Sequence, residues 1–201
     1  MKNWIGLVFC LFCTGAPAFA QNLSGISARW SDSFVEWELF APAPDSLQTV
    51  NDDGEQEELV EEAVGELKLR WLNLRDDWTE WDFSLGDERG TIRMKWKDDP
   101  SQWELRTYSG SVVSMRASWR NDLTEWRVTD NSIALTLKTR WSGQLDEWLV
   151  QDNTRGTFYM YTLYEGDPRD WAIEESLDET VSGPMKMALV FLGVFHASPL
   201  M

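Results

Sequence analysis

The chain has 201 residues, 13 of them tryptophan, and a formal net charge of −16. That length suits one domain. The acidity sets the protein against nucleic acid and anionic membrane surfaces and predicts good solubility.

The first twenty residues, "MKNWIGLVFCLFCTGAPAFA", read as a secretory signal peptide. One early lysine precedes an apolar run from Trp4 to Cys13, and Ala18-Phe19-Ala20 forms a small-residue cleavage site. The run is too short to cross a bilayer. Both cysteines, Cys10 and Cys13, follow phenylalanine, where a lipoprotein signal needs a small residue. The expected mature chain, residues 21–201, is one exported domain, periplasmic or extracellular and monomeric. Losing Lys2 takes its formal charge from −16 to −17, and it holds no cysteine, so export leaves it without disulfides.

Paired aromatics then recur along the chain. Trp30/Trp37, Trp96/Trp103, Trp119/Trp126 and Trp141/Trp148 are each seven residues apart. Trp71/Trp81 carries a three-residue insertion, and Tyr164/Trp171 has tyrosine in the first place. From Trp81 the second members follow at 22, 23, 22 and 23 residues, the period of a repeated supersecondary unit. Apolar residues alternate before each pair, as in Leu67-Leu69-Trp71 and Val113-Met115-Ala117-Trp119, and again after it, as in Trp81-Phe83-Leu85. Alternation predicts half-buried strands, and "GDERG", "YSG", "DNS" and "DNTRG" predict the turns between them. Six two-strand repeats make a meander of about twelve antiparallel strands. By parity both aromatics of every pair belong to the core. Arg29/Glu36, Arg70/Glu80 and Arg140/Glu147 should form exposed cross-strand ion pairs worth under about 1 kcal/mol each.

An irregular, acidic stretch at 41–65, "APAPDSLQTVNDDGEQEELVEEAVGE" with its last residue Glu66, separates the first two repeats. It reads as a flexible solvated insert with a short helix near Glu57 to Val64. Asn51, Asp53 and Gly54 fit part of a calcium loop, but Thr49 and Val60 occupy two of its ligand positions.

The tail "SGPMKMALVFLGVFHASPLM" is apolar from Met185 to Phe195 apart from Lys186. Ser182 suits a cap, Pro184 a first turn and Pro199 a stop, which predicts a helix over about 184–196. A helix apolar all round must be buried. A meander avoids free edges by closing, and a barrel wider than about eight strands needs something inside it. The tail, with Met187, Leu189, Phe191 and Phe195 in the core, is the candidate plug.

"WLVQDNTRGTFYMY" and "MKMALVFLGVFHAS" resemble the hairpins and the central helix of the tubby-like superfamily, closest to its LURP-one-related and phospholipid scramblase-type members. The resemblance spans about Ile26 to His196 and implies a twelve-stranded antiparallel barrel around a hydrophobic C-terminal helix. The chain departs from that group in its export and its tryptophan content. No phosphoinositide-binding lysine or arginine pair of tubby domains matches a position here, so no binding residue carries over. MORN repeats have a similar hairpin length, but their regular glycines are missing.

Catalytic, cofactor and metal residues: none is expected. His196 is the only histidine and sits at the helix end, where a cation is favoured. Acid pairs such as Asp76/Asp77 and Asp98/Asp99 lie in polar connections. The leading expectation is a non-enzymatic exported barrel binding a protein or other macromolecule through rim loops. The alternatives are a glycan-binding module using Trp78, Tyr159 and Tyr161, and a carbohydrate-active enzyme using carboxylates; lipid association trails them. A lipocalin-like carrier is disfavoured because the helix fills the cavity. An outer-membrane barrel is disfavoured because strands of five to eight residues fall short of the nine to eleven or so required.

Overall fold

The computed structural model describes residues 22–43, 60–71 and 77–198. The signal segment lies outside them, as do the middle of the acidic insert and Asp76. Twelve strands follow in order: β1 (Gly25–Trp30), β2 (Ser33–Pro42), β3 (Glu61–Leu69), β4 (Glu80–Leu85), β5 (Glu88–Trp96), β6 (Asp99–Thr107), β7 (Val112–Trp119), β8 (Asp122–Thr129), β9 (Ala134–Thr139), β10 (Glu147–Asp152), β11 (Gly156–Tyr164) and β12 (Asp167–Glu175). Helix α1 (Gly183–Ala197) ends the fold. Each strand pairs antiparallel with its neighbours in sequence, and β1 closes the barrel on β12 through Gly25↔Ala172, Ile26↔Trp171 and Ser27↔Asp170. Closure leaves no unpaired edge.

The acidic insert is narrower than its composition implied. β2 runs to Pro42, and 61–65 belongs to β3, where Phe40↔Ala63 and Leu39↔Gly65 are in register. The helix expected near Glu57 to Val64 is strand from Glu61 onward. Pairing with β2 satisfies that backbone and overrides local composition. Strands reach nine or ten residues, longer than expected. Length therefore does not decide against a lipid-facing wall. Outward positions carry Lys68, Arg93, Glu104, Arg106, Arg127 and Lys138, whereas a lipid-facing barrel wears an apolar band. No described helix is long and apolar enough to cross a membrane.

Inward positions alternate as the sequence implies: Leu67 and Leu69, Val113 and Met115, Leu135 and Leu137 are buried. The lumen is occupied by α1, whose residues from Pro184 to His196 are all buried. Ser182 caps the helix, its hydroxyl accepting from the Met185 N–H. Phe191 and Phe195 meet Trp103 edge-on, with ring centroids 4.9 and 4.7 Å apart. The same two rings meet Trp81 at 5.9 and 6.3 Å. Gly193 lets the helix approach the wall: a side chain there would meet Met160 Sδ at 2.9 Å. The single charge on the helix, Lys186, pairs with Glu175 of β12 at 3.0 Å, both side chains 1% exposed.

Candidate functional site

The six connections β1–β2, β3–β4, β5–β6, β7–β8, β9–β10 and β11–β12 all open on one end of the meander, and every aromatic pair sits there. The second members, Trp37, Trp81, Trp103, Trp126, Trp148 and Trp171, are buried, at most 2% exposed. Each indole N–H donates to the backbone carbonyl three residues earlier, on Phe34, Trp78, Pro100, Leu123, Leu145 and Pro168, over 2.7–3.1 Å. That bond ties each connection to the core and explains tryptophan rather than phenylalanine, because a buried indole N–H needs an acceptor. At about 200 Å2 and about 25 cal/mol/Å2, burying each indole stabilises the fold by about 5 kcal/mol at most.

The first members are a correction to the sequence expectation. Trp30, Trp71, Trp96, Trp119, Trp141 and Tyr164 are 42–66% exposed and are not core. Parity fails because the pairing register shifts just before Trp30, Trp96, Trp119 and Tyr164. A one-residue shift turns a side chain to the other face of the sheet. Regular strand ends at Leu69 and Thr139, so Trp71 and Trp141 lie in the connections themselves. The result is a crown of six exposed aromatic rings around one rim.

Three crown positions share a cluster of arginine, tryptophan and glutamate. Trp30 Nε1 donates to Glu36 at 3.1 Å, Trp71 Nε1 to Glu80 at 3.0 Å, and Trp141 Nε1 to Glu147 at 3.3 Å. The expected ion pairs are present, with Arg29–Glu36 at 3.9 Å, Arg70–Glu80 at 2.7 Å and Arg140–Glu147 at 3.2 Å. Arg70 and Arg140 lie over the Trp71 and Trp141 rings, 5.7 and 5.3 Å from the centroids. Around Glu147 the cluster widens. Tyr159 donates to Glu147 and accepts from Arg140 at 2.8 Å, and Tyr161 donates to Glu174 at 3.0 Å. The Tyr159 hydroxyl, then the Trp141 N–H and Arg140, hold the Glu147 carboxyl below its ordinary value. Glu36 is likewise lowered, by Lys68 first and then Trp30.

The connection acids have defined structural work. Asp77, Asp99 and Asp122 accept from both the backbone N–H and the hydroxyl of the residue two further on: Thr79, Ser101 and Thr124. These bonds hold all three carboxyls below the ordinary range. Trp78 is half-buried against the core rather than displayed as a platform, and Tyr159 and Tyr161 are half-buried on the outer wall. A cavity of about 440 Å3 opens at the same rim beside the end of α1, lined by Leu145, Asp146, Asp167, Pro168 and Ala197 among others. Among the described residues no group of three or more His, Cys, Asp or Glu is placed to hold a metal ion.

His196 departs from the sequence expectation in its charge. It is 4% exposed, and its ring stacks on Trp126 with centroids 5.0 Å apart. Burial pushes its pKa from 6.5 down to about 3, so it is neutral rather than a cation interacting with the helix terminus.

The sequence carried a signal for this arrangement. The third residue before each core tryptophan is Phe34, Trp78, Pro100, Leu123, Leu145 or Pro168, apolar in every repeat. That residue covers the barrel end and offers its carbonyl to the indole. Compared with family models, with curated proteins and with solved structures, the chain finds no match.

Proposed function

We propose that the mature protein is an exported, non-enzymatic binding barrel that engages a macromolecule through its aromatic crown. The observation that carries this reading is the exposure of Trp30, Trp71, Trp96, Trp119, Trp141 and Tyr164 on one rim. Six large aromatic side chains left in water at corresponding places form an interaction surface, since aromatic anchors dominate binding energy. The signal segment supports export, and the formal charge of −17 on the mature chain favours a neutral or basic partner. The twelve-strand barrel around a buried C-terminal helix has the architecture that the tubby-like resemblance implies, and membership of that superfamily is part of the proposal. A fold of that kind does not assign a function.

Binding is favoured over glycoside cleavage by the state of the rim carboxylates. A general acid needs its pKa raised towards the working pH. Glu36 and Glu147 are held low instead, and both are occupied by indole and cationic partners.

Photo-crosslinking of the tagged mature chain in the exported fraction tests the reading. Replacing Trp30, Trp96 and Trp119 together by serine should leave cooperative melting intact and remove the captured partner. An unchanged set of partners overturns it.

A further inference from the structure

We propose that the outer wall around Trp141, Arg140, Tyr159 and Tyr161 is a binding subsite for a neutral oligosaccharide. The proposal rests on the crown as a binding surface and names the chemistry of its ligand.

This sector is the most completely built of the six. The Arg140 guanidinium lies between two rings, 5.3 Å from the Trp141 centroid and 5.4 Å from that of Tyr159. Glu147 holds Trp141 by its N–H, holds Arg140 by charge and accepts from Tyr159. The Tyr159 and Tyr161 rings are neighbours at 4.9 Å, and Tyr161 is fixed in turn by Glu174. Side chains already locked in place lose little entropy when a ligand arrives.

The cluster keeps unused bonding capacity. Among the described residues, Arg140 bonds Glu147 and Tyr159 through Nη1 alone, leaving Nε and Nη2 as donors. Among the described residues, Glu147 Oε1 accepts only from Trp141, and Glu174 Oε1 only from Tyr161. Aromatic faces thus stand beside free guanidinium donors and free carboxylate lone pairs. A pyranose ring matches this layout: its C–H face stacks on an aromatic ring, and hydroxyls on its edge donate to a carboxylate while accepting from a guanidinium. An apolar peptide would strand those polar groups, at a cost in desolvation. An acidic glycan would meet a mature chain of formal charge −17.

The test uses the mature full chain on an array of neutral and acidic oligosaccharides, followed by calorimetric titration with hexasaccharides of glucose, mannose and N-acetylglucosamine. Saturable binding to at least one neutral hexasaccharide is expected. Trp141→Ala should weaken it about tenfold, the loss of one aromatic contact. Tyr159→Phe, which loses only the hydroxyl between Arg140 and Glu147, should weaken it less, with cooperative thermal unfolding retained by both. Arg106→Ala, on the wall of β6, should bind as the parent does. An array with no neutral binder overturns the proposal, as does sugar binding indifferent to Trp141→Ala. Rim-dependent capture of a protein with a blank array overturns the sugar assignment and leaves the crown reading standing. Capture indifferent to the crown overturns that reading instead.

Discussion

Lys186 Nζ lies 3.0 Å from Glu175 Oε1 with both side chains 1% exposed, so the one charge on the central helix is tied to the last strand of the wall. Glu175 Oε1 also accepts from the Leu23 N–H, while Oε2 is buried with no hydrogen-bond partner among the described residues. Burial pushes the Glu175 carboxyl above its ordinary value of 4.5, against the pull of Lys186 and the Leu23 N–H. Lys186→Met should cost about 3–5 kcal/mol at neutral pH, because it leaves an uncompensated buried carboxylate. A raised folded pKa means that this variant loses stability as pH rises above about 4.5. Adding Glu175→Gln removes the charge and keeps an acceptor for Leu23, so denaturant midpoints should show the double variant recovering most of the loss.

The helix is expected to be obligatory. Phe191 is fully buried between Trp81 and Trp103, and an aspartate there would be an unpaired charge costing several kcal/mol against a total stability of about 5–15. Phe191→Asp and a chain stopped at Gly183 should both lack cooperative unfolding and near-ultraviolet tryptophan dichroism. A stopped chain that retains both would show that the barrel stands without its plug.

The two members of an aromatic pair should respond oppositely to substitution. Trp126→Phe removes the N–H that bonds the part-buried Leu123 carbonyl and shrinks a fully buried ring, a loss of about 1–3 kcal/mol. Trp119→Ser alters a ring that is 66% exposed and should change stability by less than about 1 kcal/mol. Thermal melts of the two variants side by side decide this.

His196 should impose a slope on stability in mild acid. Its folded pKa is about 3 against 6.5 unfolded, so between those values the unfolded chain binds a proton that the folded chain does not. Stability then falls by about 1.4 kcal/mol for each pH unit lowered within that window. His196→Phe should remove the His196 part of that slope between pH 6.5 and about 4.5, leaving the opposing contribution of Glu175, whose folded carboxyl is raised. Denaturant titrations across that range measure it.

Export can be checked by intact mass. Cleavage after Ala20 should give a mature chain starting at Gln21 with no lipid attached. A retained leader or a modified Cys13 would contradict the proposed localisation.

Much of this fold is legible in one dimension. Period-two alternation around each aromatic pair determines two strands per repeat, and six repeats determine a meander of twelve. The apolar run from Met185 to Phe195 determines a helix that has to be buried, and only the lumen can bury it. The ion pair of Arg140 with Glu147 follows from outward neighbours on adjacent strands. Other features are decided only by the closed barrel. Counting parity assumes an unbroken pleat, so it placed Trp30, Trp96, Trp119 and Tyr164 inside, where the register shifts beside them turn their rings out. Those shifts belong to the tight ends of paired strands, and no single strand encodes them by its own alternation. His196 likewise looks like a helix-end cation until the walls of Trp126 and Trp148 close around it and remove the water that a charge needs. The alternation of residues is local and survives in the sequence. Which of them meet water depends on how the strands pair and what the closed wall encloses.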